Sequence, residues 1–313
     1  MTLSIVKKFL RSLVVLVVVT FVVFALMYGN GQGIARAVLG LRASDGDIAE
    51  KVAELGLDQP LLVQYKNWGI SALSGDLGRS FYTGQNVTEA LAIRVPVTAT
   101  LVIVALFFTA LIAVMLGVTA AVKGGWIDRI LQFLSVTGTA IPSFIVAITL
   151  VFVFAIHWRI LPATGYVSSD VSPSGWIASI TLPVLSLLIG SVASAAQQFR
   201  TATLDQLGRD YVRTLRARGI NESSVIFRHV LRNAAAPGLT VLSLTVFGLL
   251  GGAVFIEQVF ALPGLGQLAN QSAQIFDVPM VMGTVLVTVL IVLVVNLLGD
   301  IAIALLNPKA RIR

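Results

Sequence analysis

Few residues in this sequence have the types and spacing that catalysis or metal binding requires. The 313 residues include no cysteine and only two histidines, His157 and His229. The lack of cysteine excludes thiolate nucleophiles, disulfides and cysteine-based metal sites. The two histidines are predicted on opposite sides of a membrane, so they cannot share a metal. A phosphate-binding loop, a nucleophile elbow and an H-E-x-x-H motif are all missing. We therefore expect the chain neither to hydrolyse a substrate nor to bind ATP through a P-loop.

The densest charge lies between residues 200 and 232, where seven arginines accompany three acidic residues. Topology alone could account for this charge, because cytoplasmic loops of membrane proteins are rich in Lys and Arg and contact anionic lipid. It does not account for the order of the stretch, which contains two periodic segments and a defined break. We therefore predict that the stretch docks a cytoplasmic protein.

The same stretch predicts two helices joined at a glycine. Apolar residues at spacings of three or four predict one amphipathic helix, whose stripe is Leu204, Leu207, Tyr211 and Leu215. Gly219 is expected to end this helix in a left-handed conformation, after cations that suit a helix C-terminus. Asn221 can then cap a second helix that has Glu222 in its first turn.

Composition requires these elements to sit at a membrane. The chain is 57% hydrophobic and 12% charged, with a mean hydropathy of +0.91, which leaves too few charged residues to cover a soluble domain. Its net charge of +7 would also suit nucleic acid. The positive residues adjoin apolar runs, however, so membrane topology explains them better and we expect lipid, not nucleic acid, as a partner.

Six apolar runs are each long enough to cross about 30 Å of hydrocarbon as a helix. They cover residues 12–28, 97–122, 130–156, 177–199, 238–256 and 280–306. A cleavable signal peptide is the alternative for the first run. We favour an uncleaved span, because the remaining chain is polytopic and needs a first anchor.

Counting basic residues predicts the orientation and the domains. With a cytoplasmic N-terminus, 15 of the 22 lysines and arginines fall on the cytoplasmic side, as the positive-inside rule requires. Both termini are then cytoplasmic. Residues 1–29 hold the N-terminal end and first span, 30–95 a small extracytoplasmic cap with two short helices, and 96–306 a five-helix core. The core includes the cytoplasmic loop 200–236, and 307–313 form a cytoplasmic tail.

Polar residues near the predicted outer side and in the last span are candidates for a translocation pathway. The segment 257–279 is too apolar for a free loop and too broken to span, so we expect it to fold back into the bundle. Asp300 lies within the last apolar run, where a carboxylate requires a partner or water. We favour a structural role for Asp300 over a substrate contact. The candidate pathway residues are Gln267, Asn270, Gln271, Gln274, Asn296 and Asp300.

Several motifs carry a resemblance to a known family. The main one is Asp210-Tyr-Val-Arg-Thr-Leu-Arg-Ala-Arg-Gly219, followed by His229-Val-Leu-Arg-Asn233. Further pieces are Leu55-Gly-Leu-Asp-Gln-Pro60, Gly75-Asp-Leu-Gly-Arg-Ser80, Leu161-Pro-Ala-Thr-Gly-Tyr166 and Pro263-Gly-Leu-Gly266. Together they resemble the transmembrane permease subunits of binding-protein-dependent ABC importers, specifically the first-type subunit of the dipeptide/oligopeptide permease branch. Leu215 and the tail Asn307-Pro308-Lys309 depart slightly from the usual pattern of that branch.

The resemblance implies an all-α integral membrane protein of the type I ABC importer kind, with six transmembrane helices, a helical cap and a coupling-helix hairpin. It implies a bacterial cytoplasmic-membrane subunit that forms the pathway for di- or oligopeptides delivered by an extracytoplasmic solute-binding protein. A homologous second permease subunit and two cytoplasmic ABC ATPases, which would bind ATP and Mg²⁺, complete the assembly. This chain itself needs no cofactor. The implied ATPase-coupling residues are Arg213, Arg216, Arg218, Gly219, Glu222, Arg228 and His229.

Other functions remain open at this point. The same architecture could carry nickel chelates, glutathione or another small solute. An ATP-independent secondary transporter is less well supported, because it would show ionisable relays and inverted repeats, and the sequence has one clear intramembrane carboxylate and no obvious repeat. A scaffold that only recruits cytoplasmic partners is the third class.

Overall fold

The computed structural model describes residues 2–29, 31–40 and 42–306, with side chains described for 10–29, 31–40, 42–299, 301 and 302. The predicted tail 307–313 and the side chain of Asp300 lie outside these described residues. Inside them the chain is helical, apart from loops and one isolated antiparallel bridge between Arg79 and Asn86. The predicted all-α fold is confirmed.

The described part of the chain folds into a succession of helices. In chain order they are α1 (Thr2–Tyr28), α2 (Gly31–Leu39), α3 (Asp45–Glu54), α4 (Leu61–Leu73), α5 (Val87–Lys123), α6 (Gly125–Ala140), α7 (Ser143–Leu150, continuing as a π-helix over Val151–His157), α8 (Pro173–Leu207), α9 (Asp210–Ala217), α10 (Glu222–Ser224, continuing as a π-helix over Val225–Val230), α11 (Leu231–Val259), α12 (Leu265–Gln274) and α13 (Val278–Leu306).

Among the described residues, five helical stretches are long and apolar enough to cross a membrane. They are Leu10–Tyr28, Val87–Lys123, Pro173–Leu207, Glu222–Val259 and Val278–Gly299. A sixth crossing results if the pair α6 and α7 counts as one span. The structure therefore has five or six candidate spans, and it reaches the predicted six when the bent pair crosses the membrane as one span.

That bent pair corrects the expectation of one helix over residues 130–156. The axes of Gly125–Ala140 and Ser143–His157 differ by 94°. Ile141, which precedes Pro142, is extended with φ −89° and ψ 119°. Proline lacks an amide proton and disfavours the helical conformation of the residue before it, which explains a break at this position.

Two helices are longer than hydropathy indicated. Helix α5 begins at Val87 instead of residue 97, because the side chain of Asn86 accepts a hydrogen bond from the amide of Thr88 at 2.9 Å and caps the helix. The helix after the arginine-rich turn also does not stop before the fifth span. It runs from Glu222 to Val259 as one stretch, with Pro237 inside it.

Contacts divide the chain into two compact units. The first comprises residues 99–262 and 292–306, and α8 lies at its centre against α6, α7 and α11. Glycines permit these close helix contacts. A Cβ added at Gly117 would lie 2.5 Å from the carbonyl oxygen of Ala196, and one at Gly238 would lie 2.1 Å from the ring of Phe199. Small residues at such crossings let helices pack closely within a membrane.

The second unit comprises residues 2–98 and 263–291. One core of this unit surrounds Phe24, which is buried together with Ile34, Leu57, Val278 and Met282. The two short helices predicted between residues 30 and 95 correspond to α3 and α4, and α2 is an additional helix that was not predicted from the sequence.

A buried carboxylate fixes one loop of this second unit. Asp277 is 2% exposed and accepts hydrogen bonds from the Ser80 hydroxyl at 2.5 Å and the Phe81 amide at 3.1 Å. The same Ser80 oxygen accepts from the amides of Tyr82 and Thr83. Ser80 therefore orders the loop that follows the Gly75–Ser80 motif and ties it to the start of α13.

Candidate functional site

The arginine-rich stretch is a folded hairpin whose first part differs from the prediction. Helix α8 ends at Leu207, the backbone turns at Gly208 and extended Arg209, and α9 begins at Asp210. The prediction of one helix carrying Leu204 through Leu215 is therefore wrong. Because glycine is a poor helix former, α8 ends before Gly208, and α9 starts as a separate helix. Leu204 is left 40% exposed.

The remaining apolar residues of the stretch form a small core of their own. Val212 from α9 and Val225 and Val230 from the following helix are all fully buried. Four partly buried side chains pack around them, namely Leu207, Tyr211, Leu215 and Ile220. A polar link adds to this, since the Asn233 side chain donates to the Tyr211 hydroxyl at 3.3 Å. The loop thus presents a fixed surface.

The turn between the two helices has the geometry predicted for Gly219. Its φ of +73° lies in the left-handed region. The Gly219 amide donates to the Arg216 carbonyl at 2.9 Å, and the Ile220 amide donates to the Leu215 carbonyl at 3.2 Å. This pair of hydrogen bonds is the Schellman motif, and the packing of Ile220 and Leu215 around the same small core is its usual apolar accompaniment.

The second helix begins as predicted. The Asn221 side chain accepts a hydrogen bond from the Ser223 amide at 3.0 Å, which satisfies an orphan amide of the first turn. Glu222 then pairs with Arg216 across the turn, with Arg216 Nε 3.0 Å from Glu222 Oε2. Hydrogen bonding to this carboxylate raises the pKa of Arg216 above its ordinary value. The ion pair therefore connects the two helices on the exposed side of the turn.

The outer surface of the hairpin combines cations with one aromatic ring. Arg213, Arg218 and Arg228 are exposed, and His229 is half-buried. Phe227 is 67% exposed, although the two residues before it are buried. Phe227 is not among the site residues predicted from the sequence. Its helical position, off the stripe formed by the buried valines, is the signal that could have identified it.

The base of the hairpin is attached to the core of the first unit by an ion pair. Arg200, near the end of α8, donates to Asp128 on α6 through both Nε and Nη2, the latter at 2.6 Å. Gln132 also donates to Asp128 at 3.0 Å. The Arg200 and Asp128 side chains are only 16% and 18% exposed. A bidentate arginine–carboxylate pair of this kind fixes geometry as well as charge.

The first unit also contains a cleft of about 480 Å³ between α6, α7, α8 and α11. Its lining combines hydroxyl, amide, glycine and apolar residues and has no charged side chain. The lining residues are Thr139, Ile141, Ser143, Leu187, Gly190, Ser191, Ser194, Gln198, Val241, Leu244, Thr245, Gly248, Leu249 and Gly252. Such a surface can hydrogen-bond a polar solute without selecting its charge.

The predicted pathway residues occupy other places. Gln267 and Asn270 on α12 are half-buried, and Gln271 and Gln274 are exposed. Asn296 on α13 is half-buried. None of these five lines the cleft. Four apolar residues of the same segment are buried, namely Phe260, Leu262, Leu265 and Leu268, whereas Ile275 and Phe276 are 44% and 47% exposed.

Comparison with known proteins agrees with this architecture. Residues 113–312 match the family described as binding-protein-dependent transport system inner membrane component, and residues 1–102 match the N-terminal part of such membrane components. A Brucella abortus (strain 2308) protein named as a peptide transport system permease is 36% identical over 312 residues, covering 99% of both chains. An Escherichia coli (strain K12) protein named as the D,D-dipeptide transport system permease DdpB is 34% identical over 314 residues, covering 93% of this chain and 92% of its own.

A solved structure shares the fold. A chain of the MetNI methionine ABC transporter, in an inward-facing conformation, superposes with a TM-score of 0.57 and 21% identity, over 69% of this chain and 96% of its own. At that identity the likeness shows the fold alone. The extent of the family match and the end-to-end similarity to the relatives decide the assignment. This chain belongs to the family of inner membrane components of binding-protein-dependent transport systems and is a multi-pass permease subunit.

Proposed function

We propose that this permease subunit forms part of the translocation pathway of an ATP-driven importer of di- or oligopeptides, which an extracytoplasmic solute-binding protein delivers. The observation that carries the proposal is the uncharged cleft of the first unit. A peptide presents a constant set of backbone donors and acceptors but variable side chains. The hydroxyl of Ser194 and the amide of Gln198 can bond the backbone groups without excluding most side chains. The peptide names of the relatives, one of them a D,D-dipeptide permease, point to the same class of solute.

The energy source would be two cytoplasmic ABC ATPases that bind ATP and Mg²⁺. The sequence contains no phosphate-binding loop, so an ATP-driven pathway requires a separate subunit. The hairpin is suited to dock one, because its core is fixed and its outer side carries exposed cations around Phe227. In this role Arg213, Arg216, Arg218, Glu222, Arg228 and His229 would contact or orient the ATPase. Gly219 would set the angle between the two helices.

The remaining features of the assembly follow from the same proposal. A homologous second permease subunit would complete the pathway, as a heterodimer. Both termini and the hairpin would face the cytoplasm of a bacterial cell, which the distribution of Lys and Arg favours. The polar residues of α12 and Asn296 would then serve gating or structure at positions other than the cleft, and Asp300 stays a candidate for a structural role or a pathway contact.

Uptake by the reconstituted complex tests the proposal. The two permease subunits, the ATPases and the binding protein would be placed in liposomes, and entry of labelled di- and oligopeptides would be measured with ATP and with a non-hydrolysable analogue. We expect peptide uptake with ATP only. A matched variant, Ser194→Ala with Gln198→Ala, should reduce uptake while leaving ATPase association intact. Uptake that persists without ATP would contradict the proposal, and so would transport of nickel chelates or glutathione in place of peptides.

A further inference from the structure

Helix α4 lies beside the first membrane span, although its sequence position is in a segment expected outside the membrane. The Tyr65 ring makes edge contacts with Phe21 and Phe24, at centroid distances of 5.2 and 5.4 Å. Trp68, one turn further along α4, contacts Phe24 at 6.1 Å. One side of α4 is therefore packed against α1 within the second unit.

The depth of this contact follows from a hydrogen bond. The Tyr65 hydroxyl donates to the carbonyl oxygen of Val17 at 3.1 Å and lies 2.8 Å from the Thr20 hydroxyl. Val17 belongs to the 19-residue apolar span Leu10–Tyr28. It precedes Tyr28 by eleven residues, so it lies about 16 Å along the helix from the Tyr28 end. A phenol that reaches so far along a membrane helix needs protein partners, because hydrocarbon offers none.

The opposite side of α4 is an exposed apolar stripe. Leu62, Ile70 and Leu73 are 68%, 57% and 91% exposed and lie on one helical face. Lys66, which is also exposed, is the one charged residue on this face, and a lysine stem can follow apolar surface while its ammonium reaches the headgroups. On α1, Leu26 is 78% exposed and lies on the helical face roughly opposite to Val17 and Phe24, which contact α4.

A third side of α4 is polar and limits how deep the helix can sit. Gln64, Asn67 and Ser71 line a pocket of about 340 Å³, which also contains Asp76 and Arg79. At 13 residues α4 is about 20 Å long, which is too short to cross 30 Å of hydrocarbon. A helix with an apolar stripe and a polar side fits the boundary between headgroups and acyl chains.

We propose that α4 is embedded in the bilayer, with its Leu62–Leu73 stripe in contact with acyl chains, in the half of the membrane that holds the Tyr28 end of α1. The lipid bilayer is preferred over a protein partner because the Tyr65–Val17 hydrogen bond holds α4 beside the middle of a membrane span. This inference does not depend on the substrate of the permease or on the direction in which it transports.

Spin labelling of this cysteine-free chain tests the proposal in the complete complex in liposomes. Leu62→Cys and Leu73→Cys would be labelled with a nitroxide, and collisions with molecular oxygen and with a water-soluble nickel chelate would be measured. Leu26→Cys on α1 provides the lipid-facing reference, and Glu50→Cys on the exposed side of α3 provides the aqueous reference. We expect both α4 labels to lose nickel collisions and gain oxygen collisions relative to Glu50→Cys, and to match Leu26→Cys.

Two other results would overturn the proposal. Collision behaviour like that of Glu50→Cys would place the stripe in water. Low collision rates with both reagents would instead show that a partner protein, such as the second permease subunit or the binding protein, covers it.

Discussion

Arg216 and Glu222 form an ion pair across the Gly219 turn, with Arg216 Nε 3.0 Å from Glu222 Oε2. Arg216 is in the last turn of α9 and Glu222 is in the first turn of the next helix, so the pair connects the two arms of the hairpin. Both side chains are about half exposed, at 47% and 49%. Glu222 therefore has a partner within the chain before any ATPase binds, and a change at this position affects hairpin geometry as well as docking.

Exchanging the charges of this pair separates the two effects. Glu222→Lys should weaken retention of the ATPase in a pull-down, because it places a second cation beside Arg216. If the loss comes from the hairpin geometry, the exchange of both residues, Arg216→Glu with Glu222→Arg, should restore retention to near the original level. If Glu222 instead contacts the ATPase directly, the exchanged protein should remain as weak as Glu222→Lys. An unchanged pull-down for the single variant would argue against any role of Glu222.

Gly219 is predicted to be required for coupling, because its φ of +73° is unfavourable for a residue with a branched Cβ. Gly219→Val should cost about 1–2 kcal/mol at the turn and misdirect the second helix, so that ATP hydrolysis no longer drives uptake. Membrane insertion should be unchanged. Gly208→Ala is the matched control, because Gly208 has a φ of −75° and its new Cβ would make only ordinary contacts. Normal coupling in Gly219→Val would refute the requirement.

Phe227 is predicted to be the anchor of the hairpin in its ATPase. Aromatic residues that enter a pocket of a partner often contribute about 2 kcal/mol or more, whereas charges at the edge contribute less. Phe227→Ala should therefore reduce ATPase affinity by roughly thirtyfold or more. Arg228→Glu should have a smaller effect that weakens further at high salt. Titration of the detergent-solubilised permease with labelled ATPase measures both, and equal affinities for Phe227→Ala and the parent protein would exclude the anchor.

The Asp128–Arg200 pair is predicted to stabilise the base of the hairpin. Arg200→Gln leaves a largely buried carboxylate without its main donor and should destabilise the protein by about 2 kcal/mol. The double variant Asp128→Asn with Arg200→Gln should lose less than the sum of the two single changes, since neither charge is then left alone. Thermal unfolding in detergent measures the three variants. Strictly additive losses would show that the two side chains do not interact.

The sequence predicted those parts of the fold that local physical chemistry decides. The apolar runs identified the spans because hydrocarbon tolerates only helices or closed barrels. Gly219 and Asn221 indicated the hairpin turn. Gly219 has no Cβ and therefore tolerates the left-handed conformation that ends a helix, and the Asn221 side chain can cap the helix that follows. The family motifs then pointed to the correct class of protein.

What the sequence could not predict depends on residues far apart in the chain. Hydropathy treated residues 130–156 as one run, and only the backbone shows that Pro142 bends it while Pro183 and Pro237 stay within helices. The cleft combines polar, glycine and apolar residues from four helices, none of them unusual in its own segment. The contact between Tyr65 and Val17 joins residues 48 positions apart, so no local pattern revealed that α4 lies beside α1.

Motion of the segment between α11 and α13 during transport can be tested at Gln271. Helix α12 of this segment presents Gln271 to solvent, whereas the adjacent Ser272 is 4% exposed. If the segment moves when the pathway opens towards the binding protein, a cysteine at Gln271 should react with an impermeant thiol reagent at different rates in nucleotide-free and ATP-trapped complexes. Ser272→Cys is the matched control and should react slowly in the nucleotide-free state. The chain has no other cysteine, so each rate reports one position. Identical rates at Gln271→Cys in the two states would indicate a static plug that only completes the packing of the protein.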